Sequence, residues 1–185
     1  MKVTKLVSLA IPVLLLVGCG VGDKDSTPKT EEVSKKKVKI SEEKYPLYIC
    51  EQMVEFQNKL DGYSNTVVQV FKGTTDVQDV LKSIYELEQV LDNIENIESP
   101  SKYKDQQKSM QEGVDEARKG IELLNDGFTS YADGNKEDKV KAQKLATEGG
   151  EVLNHADKDF WHPVIKSLVT ENPEVYEQAL RNKSH

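Results

Sequence analysis

Residues 110–131 read MQEGVDEARKGIELLNDGFTSY. Met110, Val114, Ala117, Ile121, Leu124, Phe128 and Tyr131 recur in this stretch at alternating steps of 4 and 3. That period places one apolar stripe along a single face of an α-helix. Tyr103 extends the stripe by seven residues upstream. Ser99-Pro100 reads as its start, with Ser as N-cap and Pro at the first helical position. Asp133-Gly134-Asn135 reads as the turn that closes it.

Three further segments carry the same signature. Ile49, Met53, Phe56, Leu60, Tyr63, Val67 and Val70 form a stripe that Lys72-Gly73-Thr74-Thr75 interrupts. Val77, Val80, Ile84, Leu87, Leu91 and Ile94 form the next, with Thr75 and Gln78 as a candidate capping box. Ala142, Ala146, Gly149, Leu153, Ala156 and Phe160 form the fourth. Helices of roughly 23–32 residues, about 35–48 Å long, follow from these spans. Short connections make sequential helices antiparallel neighbours. The expected fold is therefore all-α, an antiparallel four-helix bundle over residues 42–185. His162-Pro163 is expected to end the fourth helix. A short C-terminal helical tail follows, its last helix opened by Asn172-Pro173-Glu174. Trp161, with Phe160 and Ile165, is expected to pin that tail to the bundle.

Residues 1–41 have a different composition. Lys2 and Lys5 precede the apolar run LVSLAIPVLLLV at 6–17. That run is signal-peptide length and too short for the roughly 20 residues that span a bilayer. It ends in Leu16-Val17-Gly18-Cys19, which resembles the bacterial lipoprotein box. The resemblance implies a signal peptide at 1–18, cleavage between Gly18 and Cys19, and a diacylglycerol thioether on Cys19. Two acyl chains anchor stably where one does so only marginally. The expected location is the outer face of the cytoplasmic membrane. Residues 20–41 are too poor in apolar side chains to form a core, so 19–41 reads as the lipidated cysteine and a disordered linker. Its root-mean-square reach is about 25 Å. The lysines at 35–37 and 39 suit either a solvated linker or anionic headgroups.

The formal net charge is −7, and without the two lysines of residues 1–18 it is −9. Such a balance argues against nucleic acid, whose phosphates need clustered Lys and Arg. With Cys19 lipidated, Cys50 has no disulfide partner. It reads as a small buried hydrophobe rather than a nucleophile.

Gly113, Gly120 and Gly127 lie seven apart, on a face beside the apolar stripe. Each costs up to about 1 kcal/mol relative to Ala inside a helix. Their recurrence marks a surface that something approaches closely, a neighbouring helix or a partner. They are the candidate interaction face, with Gly149-Gly150 a possible opposite surface. Gly127 belongs to Asn125-Asp126-Gly127-Phe128. With the lipobox and the chain length, Asn125, Asp126 and Phe128 give the chain a resemblance to small Gram-positive lipoproteins named for an Asn-Asp-x-x-Phe motif. That family supplies no activity to carry over.

His155, Asp159 and His162 stand at i, i+4 and i+7. On a continuous helix they would share a face and form a candidate transition-metal site. No phosphate loop, serine elbow or paired-cysteine motif occurs. The expectation is a non-enzymatic, membrane-anchored interaction module with a possible protein partner and no cofactor beyond the lipid on Cys19. The alternative is an extracytoplasmic metal or small-ligand binder using His155, Asp159 and His162.

Overall fold

The structure, a computed structural model, describes residues 37–131 and 136–183. The leader, Cys19, most of the linker and the turn at 133–135 lie outside the described residues. In order come β1 (Val38–Lys39), α1 (Tyr45–Phe71), α2 (Val77–Glu95), β2 (Ile97–Glu98), α3 (Lys104–Thr129), α4 (Lys136–Ala156), α5 (His162–Glu171) and α6 (Val175–Lys183). A 3-10 turn at Ser101–Tyr103 precedes α3, and a π-helical turn at Asp157–Trp161 joins α4 to α5. The all-α bundle expected from the stripes is what the chain forms. Its four main helices run 27, 19, 26 and 21 residues, so α2 and α4 are shorter than the stripes suggested.

The core is drawn from these stripes. Ile84, Leu87, Leu91, Met110, Ile121, Leu124 and Phe128 are all at most 2% exposed. α3 is the central helix, packed against both α2 and α4. Arg118 on α3 reaches Asp92 at 2.7 Å and Glu95 at 2.8 Å on α2. At one end of the bundle a polar clamp joins three helices. Tyr45 Oη donates to Gln107 Oε1 at 2.9 Å, and Gln107 Nε2 donates to the Ile94 carbonyl at 3.0 Å. The Tyr45 and Tyr103 rings stack above it with centroids 4.7 Å apart. Among the described residues, the buried core lies between residues 45 and 179.

The helix ends depart from the expected caps. α1 closes in a Schellman motif: Gly73 N–H bonds the Val70 carbonyl at 2.9 Å and Thr74 N–H bonds Gln69 at 3.0 Å. Gly73 has φ +72°, the left-handed value that this closure requires and that glycine adopts without penalty. The N-cap of α2 is Asp76, not Thr75; its carboxylate accepts from Gln78 N–H at 2.8 Å. Thr75 instead donates to Asp79 at 2.6 Å. Asp has two acceptor oxygens and no competing proton, and it stands one residue nearer the helix. Asp76→Ala should lower stability by about 1 kcal/mol, read as an earlier urea midpoint, whereas Thr75→Ala should change it by less. Ser99 does not cap α3, because the 3-10 turn takes up the first residues after Pro100.

Two further corrections concern the ends of the bundle. β1 and β2 pair in parallel, Val38 with Ile97 and Lys39 with Glu98. Val38 and Lys39, inside the stretch assigned to the linker, are therefore paired to the folded body. At the other end, Pro163 does not terminate α4. The backbone passes through the π turn straight into α5. His162 N–H bonds the Asp157 carbonyl five residues back, and the wider turn takes up the place where proline's missing N–H and its ring would break an α-helix.

Candidate functional site

Four helices in a closed ring would each touch two neighbours. Here α1 packs on α2 and α6 while α4 packs on α3, and α1 and α4 hardly meet. The reason lies in the side chains of α4. Its inner stripe is Ala142, Ala146, Gly149, Leu153 and Ala156, most of them small, and it draws α4 tightly onto α3. A Cβ on Gly120 would stand 2.9 Å from the Gly149 carbonyl oxygen; one on Gly149 would stand 2.7 Å from that of Gly120. Only two glycines let the backbones come so close. Drawn toward α3, α4 leaves a groove on its α1 side.

That groove is bounded at both ends. Lys139 of α4 donates to the Phe71 carbonyl of α1 at 3.0 Å. At the far end the Trp161 ring meets the edge of Phe56 at 5.0 Å. Between these ties Phe56, Leu60 and Tyr63 of α1 face Ala146, Gly150 and Leu153 of α4 across a cavity of about 360 Å³. A second cavity of about 460 Å³ shares Met53, Gln57 and Asp157 with the first and continues to His162 on α5 and Tyr176 on α6. The floor is apolar and aromatic; Gln57, Ser64, Asn154 and Asp157 supply polar groups, joined in the second cavity by His162 and Lys166.

One polar group is buried in the groove wall. Tyr63 is 7% exposed, and its hydroxyl is buried without a hydrogen-bond partner. Burial pushes its phenol well above the ordinary value, so it stays neutral and able both to donate and to accept.

The residues singled out in the sequence are placed as follows. The glycine face is internal. A Cβ on Gly113 would fall on the Trp161 indole, and one on Gly127 would stand 3.1 Å from Leu145 Cβ. Gly113, Gly120 and Gly127 are all buried, so they are the seat of α4 and Trp161 and not a surface offered to a partner. Asn125 and Asp126 are exposed and Phe128 is fully buried against Tyr63 and Phe71. One residue separates Asp126 from Phe128 where the Asn-Asp-x-x-Phe pattern has two, and position 129 is Thr. This spacing puts the phenylalanine in the core stripe.

The metal triad does not assemble. His155 Nε2 lies 2.9 Å from Asp159 Oδ2, and His155 Nδ1 lies 3.4 Å from Glu116 on α3. His162 instead lines the second cavity, because the π turn between Asp157 and Trp161 rotates it off the His155 face. Among the described residues, no three His, Cys, Asp or Glu side chains are grouped to hold a metal. The Glu116 carboxyl is held below its ordinary value, first by its bond to Lys119 and also by His155. His155 thus sits between the carboxylates of Asp159 and Glu116.

Cys50 is fully buried in a small second core that Val175 and Ala179 of α6 complete. Burial, and then Glu51, push its thiol from 9.0 up to about 11. A thiol so held is protonated and a poor nucleophile. The raised native value has a stability consequence. Below pH 9 both states keep the proton and the contribution is complete. As pH rises from 9 through about 11 the unfolded chain ionises first, and stability falls. The Cys50→Val chain should show a shallower loss of melting temperature between pH 9 and 11 than the parent.

Sequence reasoning missed the groove. Gly149 and Gly150 were paired as one surface, yet adjacent helical residues point about 100° apart. Gly149 meets Gly120 and Leu124, whereas a Cβ on Gly150 would meet nothing within 4 Å. Gly62 inside α1 has the same open space and lines neither cavity, so an open glycine alone does not mark the groove.

Comparison with known proteins adds a family and no activity. No curated protein and no solved structure matches the chain. One family pattern covers residues 39–171, from β1 through the end of α5, leaving α6 outside. The chain belongs to that family, described as a domain of unknown function (DUF7018).

Proposed function

We propose that the protein is a lipid-anchored, non-enzymatic binding module held at the outer face of the cytoplasmic membrane, and that the groove between α1 and α4 is where it binds. The groove carries the binding half of this reading: two adjoining cavities with an aromatic floor are what small-molecule and peptide sites are made of. Leu16-Val17-Gly18-Cys19, after a charged start and a short apolar run, supports the anchored half. A binder fits better than an enzyme because the buried thiol is held protonated and the groove floor offers no nucleophile paired with a base. The acidic balance fits a partner other than nucleic acid.

Mass spectrometry of the chain isolated from its native membrane tests the anchor. The expected result is a mature N-terminus at Cys19 carrying the diacylglycerol mass. Cys19→Ala should move the protein out of the membrane fraction or leave it as unprocessed precursor. An unmodified Cys19 in the membrane-bound protein overturns the anchored half.

A further inference from the structure

We propose that α6 is a releasable strap seated in a helix-docking groove between α1 and α5, and that on release this groove takes a partner helix of like pattern, with small apolar residues at i and i+4 and a cation at i+8. The seat is a second surface, beyond the α1/α4 groove. Its floor on α1 is Leu47, Cys50 and Val54, and none of these lines either cavity of that groove.

The floor needs a cover that the rest of the bundle does not supply. Leu47, Cys50 and Val54 stand at steps of 3 and 4, a second apolar stripe on α1 beside the one that enters the main core. Ile165 and Val169 of α5, one turn apart, form the other wall. Val175 and Ala179 of α6 complete this small cluster. The main core takes nothing from α6: its buried members run from Tyr45 to Leu168. The family pattern likewise takes in α1 and α5 and ends at residue 171, before α6. The apolar stripe thus belongs to the body that the family pattern defines, and its cover lies outside that pattern.

The strap is held lightly. Of its nine residues, Val175 and Ala179 are the buried ones. Its backbone approaches α1 closely and no other described helix to that extent. Pro173, which has no N–H, separates it from α5 within the connector at 172–174. The remaining ties are polar and partly open to water: Asn182 Nδ2 donates to Glu51 Oε1 at 2.6 Å, and Lys183 Nζ pairs with Glu55. Such surface pairs hold little, and a short helix with so small an apolar footprint opens before the body unfolds. The same contacts specify what can replace it. Val175, Ala179 and Lys183 stand at i, i+4 and i+8, with the apolar pair on the Cys50 stripe and the cation against Glu55. Anchors at that spacing are how an amphipathic helix is recognised in a groove, and Glu51 and Glu55, one turn apart beside the stripe, select a basic helix over an acidic one.

Cys50 reports on the strap. It is fully buried in the cluster that α6 completes, and in the chain from residue 19 onward with Cys19→Ser it is the sole thiol. Its rate of reaction with 5,5′-dithiobis(2-nitrobenzoate) should change little in urea below the unfolding transition, the mark of a local opening. Ala179→Asp sets a charge against the apolar floor and should raise that rate by about tenfold or more, while the body still unfolds in one cooperative transition. Lys183→Glu should raise it about two- to fivefold, and adding Glu55→Lys should restore the parental rate. A peptide of residues 172–183 should protect Cys50 of the Ala179→Asp chain saturably. It should bind the parent about tenfold or more weakly, because there α6 competes for the seat. The same peptide carrying Ala179→Asp should not protect. A labelling rate that tracks global unfolding from the lowest urea, loss of the cooperative transition in the Ala179→Asp chain, or no protection by the peptide overturns the proposal. A concentration-dependent dimer of the parent with α6 exchanged overturns the partner helix in favour of a second copy of this chain.

Discussion

Gly120→Leu should cost the bundle more than about 4 kcal/mol, a loss that only a disrupted core produces, and Gly120→Ala should cost at most about 2 kcal/mol. The alanine figure is a balance of two effects. Alanine gains up to about 1 kcal/mol of helix propensity over glycine. Against it stands the new Cβ, 2.9 Å from the Gly149 carbonyl oxygen and 3.1 Å from Leu153 Cγ. Leu153 is a side chain and can yield. The carbonyl is helix backbone and cannot, so α3 and α4 must separate, and overpacking of that kind costs about 1–3 kcal/mol. Leucine adds three carbons with no space to occupy, since the site faces α4 along its whole length. Urea unfolding followed by circular dichroism decides the matter. Parental stability for Gly120→Leu would mean that α4 does not sit on this face. Gly149→Ala should behave like Gly120→Ala, because each glycine meets the other's carbonyl oxygen.

The same contact shows why part of the molecule could be read from its sequence and part could not. The stripes are local periodicities, and they survive folding: Ile49, Phe56, Tyr63 and Val70 are buried as their spacing requires. Met53 and Leu60, on the other half of the α1 stripe, are only partly buried and line the groove. Spacing shows that a face is apolar. It does not show whether a helix covers that face or stands off from it, since this depends on how closely α4 is held by α3. The glycine face has the same ambiguity in reverse. Its recurrence required a close approach, but an internal helix and an external partner make the same demand on the sequence. The His155, Asp159 and His162 face was misplaced for a different reason. An i, i+4, i+7 pattern presumes 3.6 residues per turn throughout, and the π turn at Asp157–Trp161 breaks that presumption. The short β1–β2 pairing was hidden because two residues carry no period. Asp76 was passed over because Thr75 and Gln78 together imitated a capping box.

The π turn leads to the second large effect. Trp161→Ala should destabilise the protein by about 3 kcal/mol, at the low end for a buried aromatic, because the vacated space adjoins the groove and admits water. Trp161 is fully buried, donates from Nε1 to the Met110 carbonyl at 3.1 Å and meets Phe56 edge-on. Trp161→Phe keeps the ring but loses the donor, and should cost about 1 kcal/mol. The sharper measurement couples Trp161 to Gly113. A Cβ at Gly113 falls on the indole, so Gly113→Ala must push Trp161 out of its seat and destabilise the parent. In the Trp161→Ala background the obstacle is gone. There Gly113→Ala should stabilise, by up to about 1 kcal/mol of helix propensity. The sign of one substitution therefore reverses with the other, which is non-additivity of the kind shown by residues in contact. Four chains unfolded in urea complete the cycle. Additive losses would show that the indole does not rest on Gly113. A reversal would show that the glycine is kept for the tryptophan.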